Sequence, residues 1–372
     1  MRSEKRAKIA AAVVGVSALL MVAATPLGHP ALRLRPSAPS VWDDSDPAVL
    51  IEGTHTYLFG SSNNRKVPVR QITSFTASLA TSQADWAAHP TDAMPTRPAW
   101  VNPSKWQIWA PSVVKIGTQF LMYFASHNAA ATTDPNNDQC IGRAVSSSPM
   151  GPYRPSAAPL FCGLPPEGAV GGLPASNRFG RGALDPSVFR AHDGHLYLIV
   201  ALSRTSTSIG EVPLTSGGMP TGGLNTTPNR LVGVTLPWQD GTDDGTLSPG
   251  AFLENPSMIY EPQTNTYLLF YSAGRWYTSA YVTGFARCAH AYGPCTPETG
   301  GPFLESGNGR TGPGGLTAFV SSAGALRVAY ASWTAGHEGQ SGSVGQYSRQ
   351  VSWGLLSLSS GSNPATQTVT LK

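Results

Sequence analysis

Proline recurs in this chain inside one short pattern. "SDPAVL" at 45–50 returns as "LDPSVF" at 184–189, with looser copies "WAPSVV" at 109–114 and "ENPSMI" at 254–259. A fifth opening, "TGPGGLTAFV" at 311–320, aligns on the same residue. After Pro47, Pro111, Pro186, Pro256 and Pro313 the chain repeats one plan: a short apolar strand, a turn and a second strand. Proline has no N–H for a sheet ladder, so it belongs at the first residue of a strand or at an edge. Asp193-Gly194 marks a hairpin turn in the third copy. Units this small cannot bury their own apolar faces. Five of them predict radial repetition, an all-β fold built as a five-bladed β-propeller.

The composition points the same way. Of 372 residues, 40 are glycine, 32 are proline and only 12% are charged. That is too apolar for disorder and too rich in turn formers for a helical bundle. The first residues carry Arg2, Lys5, Arg6 and Lys8, then an apolar run from Ala10 to Ala24 that ends in small residues. The run is shorter than a membrane-spanning helix needs, so it reads as a secretory signal, or else as an N-terminal anchor. The expected organisation is a leader at 1–28, a linker at 29–40 and a propeller at 41–372 that works outside the cytoplasm. Cys140, Cys162, Cys288 and Cys295 suit that compartment; pairing of sequence neighbours gives two disulfides, although four cysteines allow three connectivities. With no CxxC and no HExxH, no metal site is expected. The net charge of +4 comes largely from the leader, and no basic run with interleaved aromatics follows it, which argues against a nucleic-acid partner. A monomer with no stable membrane partner beyond a possible anchor is expected.

The residue before each proline should be held extended and project toward the propeller axis. Repetition would then gather Asp46, Ala110, Asp185 and Glu254 around one small cavity, Glu254 standing two residues before its proline rather than one. Carboxylates converging on an axis cost stability through desolvation and repulsion, so three of them imply a use. Glycoside hydrolysis has that use: one carboxyl donates a proton, a second stays ionised, and a third raises the donor's pKa. Calcium binding is the competing use, but the alternating Asp/Asn/Gly loop of a dedicated site is absent.

The motifs "DPAVL", "WAPSVVKIGTQFLMYFAS", "CIGRAVSSSPMGPY", "GALDPSVF", "ENPSMI" and "YTSAYVTGFARCAHAYGP" run in order from about Val41 to Trp333. In that order and at that spacing the chain resembles glycoside hydrolase family 43, five-bladed propellers acting on arabinose- and xylose-containing glycans. The resemblance implies Asp46 as general base, Asp185 as pKa modulator and Glu254 as general acid, in an enzyme that inverts the anomeric centre without a cofactor. It also implies a glycan substrate, arabinan or arabinoxylan, and α-L-arabinofuranosidase or arabinanase activity. A β-xylosidase and a non-catalytic glycan-binding propeller are the alternatives. Where many members write Gly-Pro-Gly-His in the fifth blade, this chain has "GPGG", with Gly315 in the histidine's place, which argues against a central calcium. Trp109, Ala110, Trp276 and Arg275 are the candidate substrate-binding residues. Trp42, Trp100 and Tyr281 are further candidates for stacking a sugar ring, and Arg287 for bonding its hydroxyls.

Overall fold

A computed structural model describes residues 44–63, 65–72, 75, 91–129, 139–162, 182–202, 208–223, 226, 228–240, 252–339, 349–359, 363–365 and 367–372. The expected leader at 1–28, the linker at 29–40 and Trp42 lie outside them. Within them stand five antiparallel sheets and one short 3-10 helix, Pro237–Asp240.

The first sheet holds β1 (Ala48–Glu52), β2 (His55–Phe59) and β3 (Val69–Ile72). The second holds β4 (Trp109–Ile116), β5 (Gln119–His127), β6 (Gln139–Ser146) and β7 (Arg154–Pro155). The third holds β8 (Ala183–Arg190), β9 (Leu196–Leu202), β10 (Ser208–Leu214) and β11 (Asn229–Gly233). The fourth holds β12 (Leu253–Glu261), β13 (Thr266–Ala273), β14 (Val282–Cys288) and β15 (Cys295–Pro297). The fifth holds β16 (Thr311–Val320), β17 (Leu326–Trp333), β18 (Gln350–Leu358) and β19 (Val369–Leu371).

Each sheet is a meander in chain order, with the proline-led strand at one end. Those first strands adjoin in the cycle β1, β4, β8, β12, β16 and back to β1, which makes them the inner wall of a five-bladed propeller. The five hydrophobic clusters lie at the five seams between blades. Phe59, Met122 and Phe124 join blades one and two, Tyr123 and Leu198 join two and three, and Ile199 and Leu269 join three and four. Phe270 and Val328 join four and five, while Leu58, Phe319 and Trp353 close five onto one. The middle strands β5, β9 and β13 are buried on both faces, since each is sandwiched between neighbouring blades. Cys140 bonds Cys162 and Cys288 bonds Cys295, the sequence-local pairing.

The prolines stand differently from the expectation. Pro111, Pro186, Pro256 and Pro313 lie inside their strands, each in a β-bulge. In blade two Trp109 pairs with Ala125 and Ser112 with Tyr123, so Ala110 and Pro111 together oppose Phe124. Blades three, four and five repeat this with Asp185-Pro186, Asn255-Pro256 and Gly312-Pro313. A bulge leaves its extra residue out of the ladder, so a missing N–H costs nothing there. The residue before each proline is not extended. Asp46, Ala110, Asp185, Asn255 and Gly312 have φ of 51°, 43°, 49°, 48° and 54°, in the left-handed region. The bulge needs that backward bend, and it overrides the extended preference of a residue preceding proline.

Candidate active site

Alignment on the bulge corrects the sequence reading of the acids. The left-handed slot holds Asp46, Ala110, Asp185, Asn255 and Gly312. Glu254 is not in it; it occupies the ladder position before the slot, paired with Ser272, where blades two and three carry Trp109 and Leu184. Two slots therefore carry acids, and the third acid leans in from beside Asn255. Aspartate and asparagine tolerate positive φ better than most side chains, which suits them to the bend as well as to the cavity.

Asn255 is the hub of the site. Its backbone N–H donates to Asp185 Oδ2 at 3.0 Å, and its Nδ2 donates to Asp46 Oδ1 at 3.0 Å. Its Oδ1 lies 2.7 Å from the Tyr281 hydroxyl, which also lies 2.7 Å from Glu254 Oε1. The other Asp46 oxygen accepts from Ser61 Oγ, and that hydroxyl in turn accepts the Ala110 N–H at 2.8 Å. The slot of blade two thus anchors the acid of blade one. Asp46, Asp185, Glu254 and Ala110 are brought into one network. Tyr281, expected to stack a sugar, instead presents its hydroxyl to the acids from a position 2% exposed.

Gly315 stands directly against Asp46. A Cβ there would lie 3.3 Å from both the Cα and Oδ1 of Asp46, and the residue's φ of 63° already disfavours a side chain. The glycine in place of the family's histidine keeps room beside Asp46. Among the described residues no group of three or more His, Cys, Asp and Glu side chains has the arrangement to hold a metal ion.

Charge shapes the site as strongly as geometry does. Asp185 is 8% exposed. Burial, then the negative neighbours Glu254 and Asp46, push its carboxyl well above the ordinary carboxylate range; the Asn255 N–H and Arg349 pull the other way. Burial and Glu254 likewise push the Tyr281 phenol well up, so it stays a neutral donor. Three carboxyl groups so placed cannot all ionise easily, and the cluster keeps a proton where an isolated carboxylate has lost it. Such a cluster can donate one proton while another member accepts one.

The outlying candidates are distributed around this centre. Trp109 is half-buried, and the His127 ring meets it edge-on at 4.6 Å. Trp276 stacks on Trp333 at 5.9 Å, and the Arg349 guanidinium covers both rings at 5.1 and 5.2 Å. Arg275 is exposed on the turn, where its carbonyl accepts from Thr278. Trp100 is buried in the seam of blades one and two, stacked on Phe124, and Arg287 is bonded to Glu298 and Gln367 on outer strands. Asn255 was missed by sequence reasoning, although counting from the proline reaches it at once. Ser61 carried no signal, because its role depends on the turn back from β2.

The model of Glycosyl hydrolases family 43 matches residues 40–350. An extracellular endo-α-(1→5)-L-arabinanase of Thermotoga petrophila is 27% identical over 267 residues, 67% of this chain and 50% of the relative. The chain therefore spans about half the length of the curated relative it matches. Among solved structures, a thermostable family-43 glycoside hydrolase superposes with a TM-score of 0.64 at 22% identity, covering 88% of this chain and 92% of the other. An endo-1,4-β-xylanase from Bacteroides thetaiotaomicron gives 0.63 at 18% identity, over 90% and 95% of the two chains. The Cellvibrio cellulosa α-L-arabinanase complexed with arabinohexaose gives 0.60 at 16%, over 89% and 96%. At these identities the structures speak for the fold.

Proposed function

The chain belongs to glycosyl hydrolases family 43, and on that premise we propose that it is an inverting glycoside hydrolase of arabinose-containing glycans. The observation that carries this reading is the hydrogen-bonded convergence of Asp46, Asp185 and Glu254 on Asn255 and Tyr281. Asp46 is the general base: held by Asn255 and Ser61, it accepts a proton from the water that attacks the anomeric carbon. Glu254 is the general acid, giving its proton to the departing glycosidic oxygen. Asp185, buried between them, keeps the cluster protonated to higher pH and orients it through the Asn255 N–H. An inverting pair needs roughly 6.5–9.5 Å between base and acid, room for the water. Trp109, Ala110, Trp276 and Arg275 are proposed to line the sugar path. No cofactor takes part in these steps.

The substrate class, arabinan or arabinoxylan, is supported by the arabinanase relative. The likeness to an endo-xylanase supports xylose-containing glycans as the second reading. We read residues 1–28 as a leader or anchor, 29–40 as linker and 41–372 as the catalytic propeller. Two disulfides support action outside the cytoplasm, where such bonds persist.

The test is hydrolysis of an aryl α-L-arabinofuranoside, an aryl β-xyloside and linear arabinan by the purified protein. Cleavage of the arabinose-containing substrates is expected, with Glu254→Gln and Asp46→Asn each losing about 100- to 10,000-fold. No turnover on any of them, with glycan binding retained, overturns this reading in favour of a non-catalytic propeller.

A further inference from the structure

We propose that Asn255 and Tyr281 are positioning residues that join the base Asp46 and the acid Glu254 into one hydrogen-bonded chain, satisfied in both protonation states of Glu254. The inference rests on the roles given to Asp46 and Glu254 above.

The donors and acceptors fix the chain's direction. Asn255 Nδ2 can only donate and faces Asp46 Oδ1, while its Oδ1 can only accept and faces the phenol. Tyr281 has one hydrogen and two acceptors, Glu254 Oε1 and Asn255 Oδ1, each at 2.7 Å. It can serve one at a time. When Glu254 is ionised, the phenol donates to its carboxylate. When Glu254 carries its proton, that O–H donates to the phenol oxygen and the phenol hydrogen turns to Asn255 Oδ1. The Ser272 hydroxyl bonds the same phenol from β13 and itself accepts the Gly315 N–H at 2.9 Å. Neither state leaves a buried polar atom without a partner, so the proton can leave Glu254 and return at little reorganisation cost.

The surroundings leave the phenol in control of this exchange. Tyr281 is on the segment entering β14, behind Glu254. The other charged groups acting here are Asp185 on β8, Asp46 before β1 and Arg349 before β18. The position also explains an asparagine at a left-handed bulge residue: glycine would satisfy φ of 48° but could reach neither neighbour.

The pH profile of kcat/KM separates this role from a structural one. Tyr281→Phe removes a donor from the ionised acid, so the alkaline limb should move up by about one pH unit, the worth of a charge-assisted hydrogen bond. Asn255→Gly keeps the backbone bend and the N–H to Asp185 but removes both side-chain bonds. The ionised base then loses a donor, and the acidic limb moves up. The protonated acid loses the phenol's alternative acceptor, and the alkaline limb moves down. A bell narrowed from both sides is expected. A bell of unchanged width in both variants, with only its height reduced, overturns the proposal. Glu254→Gln tests the underlying assignment separately: an active Glu254→Gln removes the premise, whereas an inactive one beside unshifted limbs refutes the chain alone.

Discussion

Asp185 is held where a carboxylate is least stable. Its raised pKa means that folding favours the protonated form: the stabilising contribution is complete below the ordinary carboxylate range and is lost as pH rises through the raised value. Asp185→Asn keeps an acceptor for the Asn255 N–H and removes the buried charge. The variant is therefore expected to melt about 2 °C or more above the parent at pH 8, with the gap closing near pH 4, while activity falls about 100-fold or more. Calorimetry at the two pH values beside an activity assay measures it; a variant that melts lower at pH 8 refutes the strain assigned to this carboxyl. At this scale the sequence exposed Asp46 and Asp185, because the proline marks their slot. It hid Asn255, because Glu254, the more chemically conspicuous neighbour, was counted in its place. It misdirected Tyr281, because an aromatic ring suggests stacking and only the fold reveals where the hydroxyl points.

The repeated element is a bulge, and every residue of its short motif has a separate task. The slot residue bends the chain, the proline occupies the position that needs no ladder N–H, and the following serine ties one blade to the next. Ser112 Oγ accepts the Val188 N–H at 3.0 Å, and Ser257 Oγ accepts the Ala318 N–H at 2.9 Å. Blade one has Ala48 at this place, and the Thr317 hydroxyl donates instead to the Pro47 carbonyl at 2.6 Å. The small residue after the proline was legible in sequence as a pattern, but its partner lies in another blade and carries no local signal. Ser257→Ala strips the Ala318 N–H of its acceptor in a buried seam and should lower stability by about 1–3 kcal/mol. Denaturant unfolding checks this, and a midpoint unchanged from the parent contradicts the tie.

Across the whole molecule, the ring closes where the chain has travelled farthest. The seam of blades five and one joins Leu58 to Phe319, Val351 and Trp353, with Phe75 packed against Trp353 at 5.3 Å. The loop closed there is the longest in the fold, so its contacts form at the greatest entropic cost. Trp353→Ala is expected to destabilise by about 3–5 kcal/mol, and hydrogen exchange should show β1 and β16 losing protection before β8 and β12. Uniform loss around the ring would contradict a distinct closing seam. Five-fold architecture was readable from five spaced prolines; the seam's composition was not, since it depends on which faces meet after closure. The site depends on that closure, because Asp46 and Gly315 approach across it. The most direct test of the central claim is proton NMR of the first sugar released from an aryl α-L-arabinofuranoside, read before mutarotation. Water activated by Asp46 and attacking opposite the leaving group must give the β-anomer; first release of the α-anomer would contradict the role of Asp46 and the inverting mechanism with it.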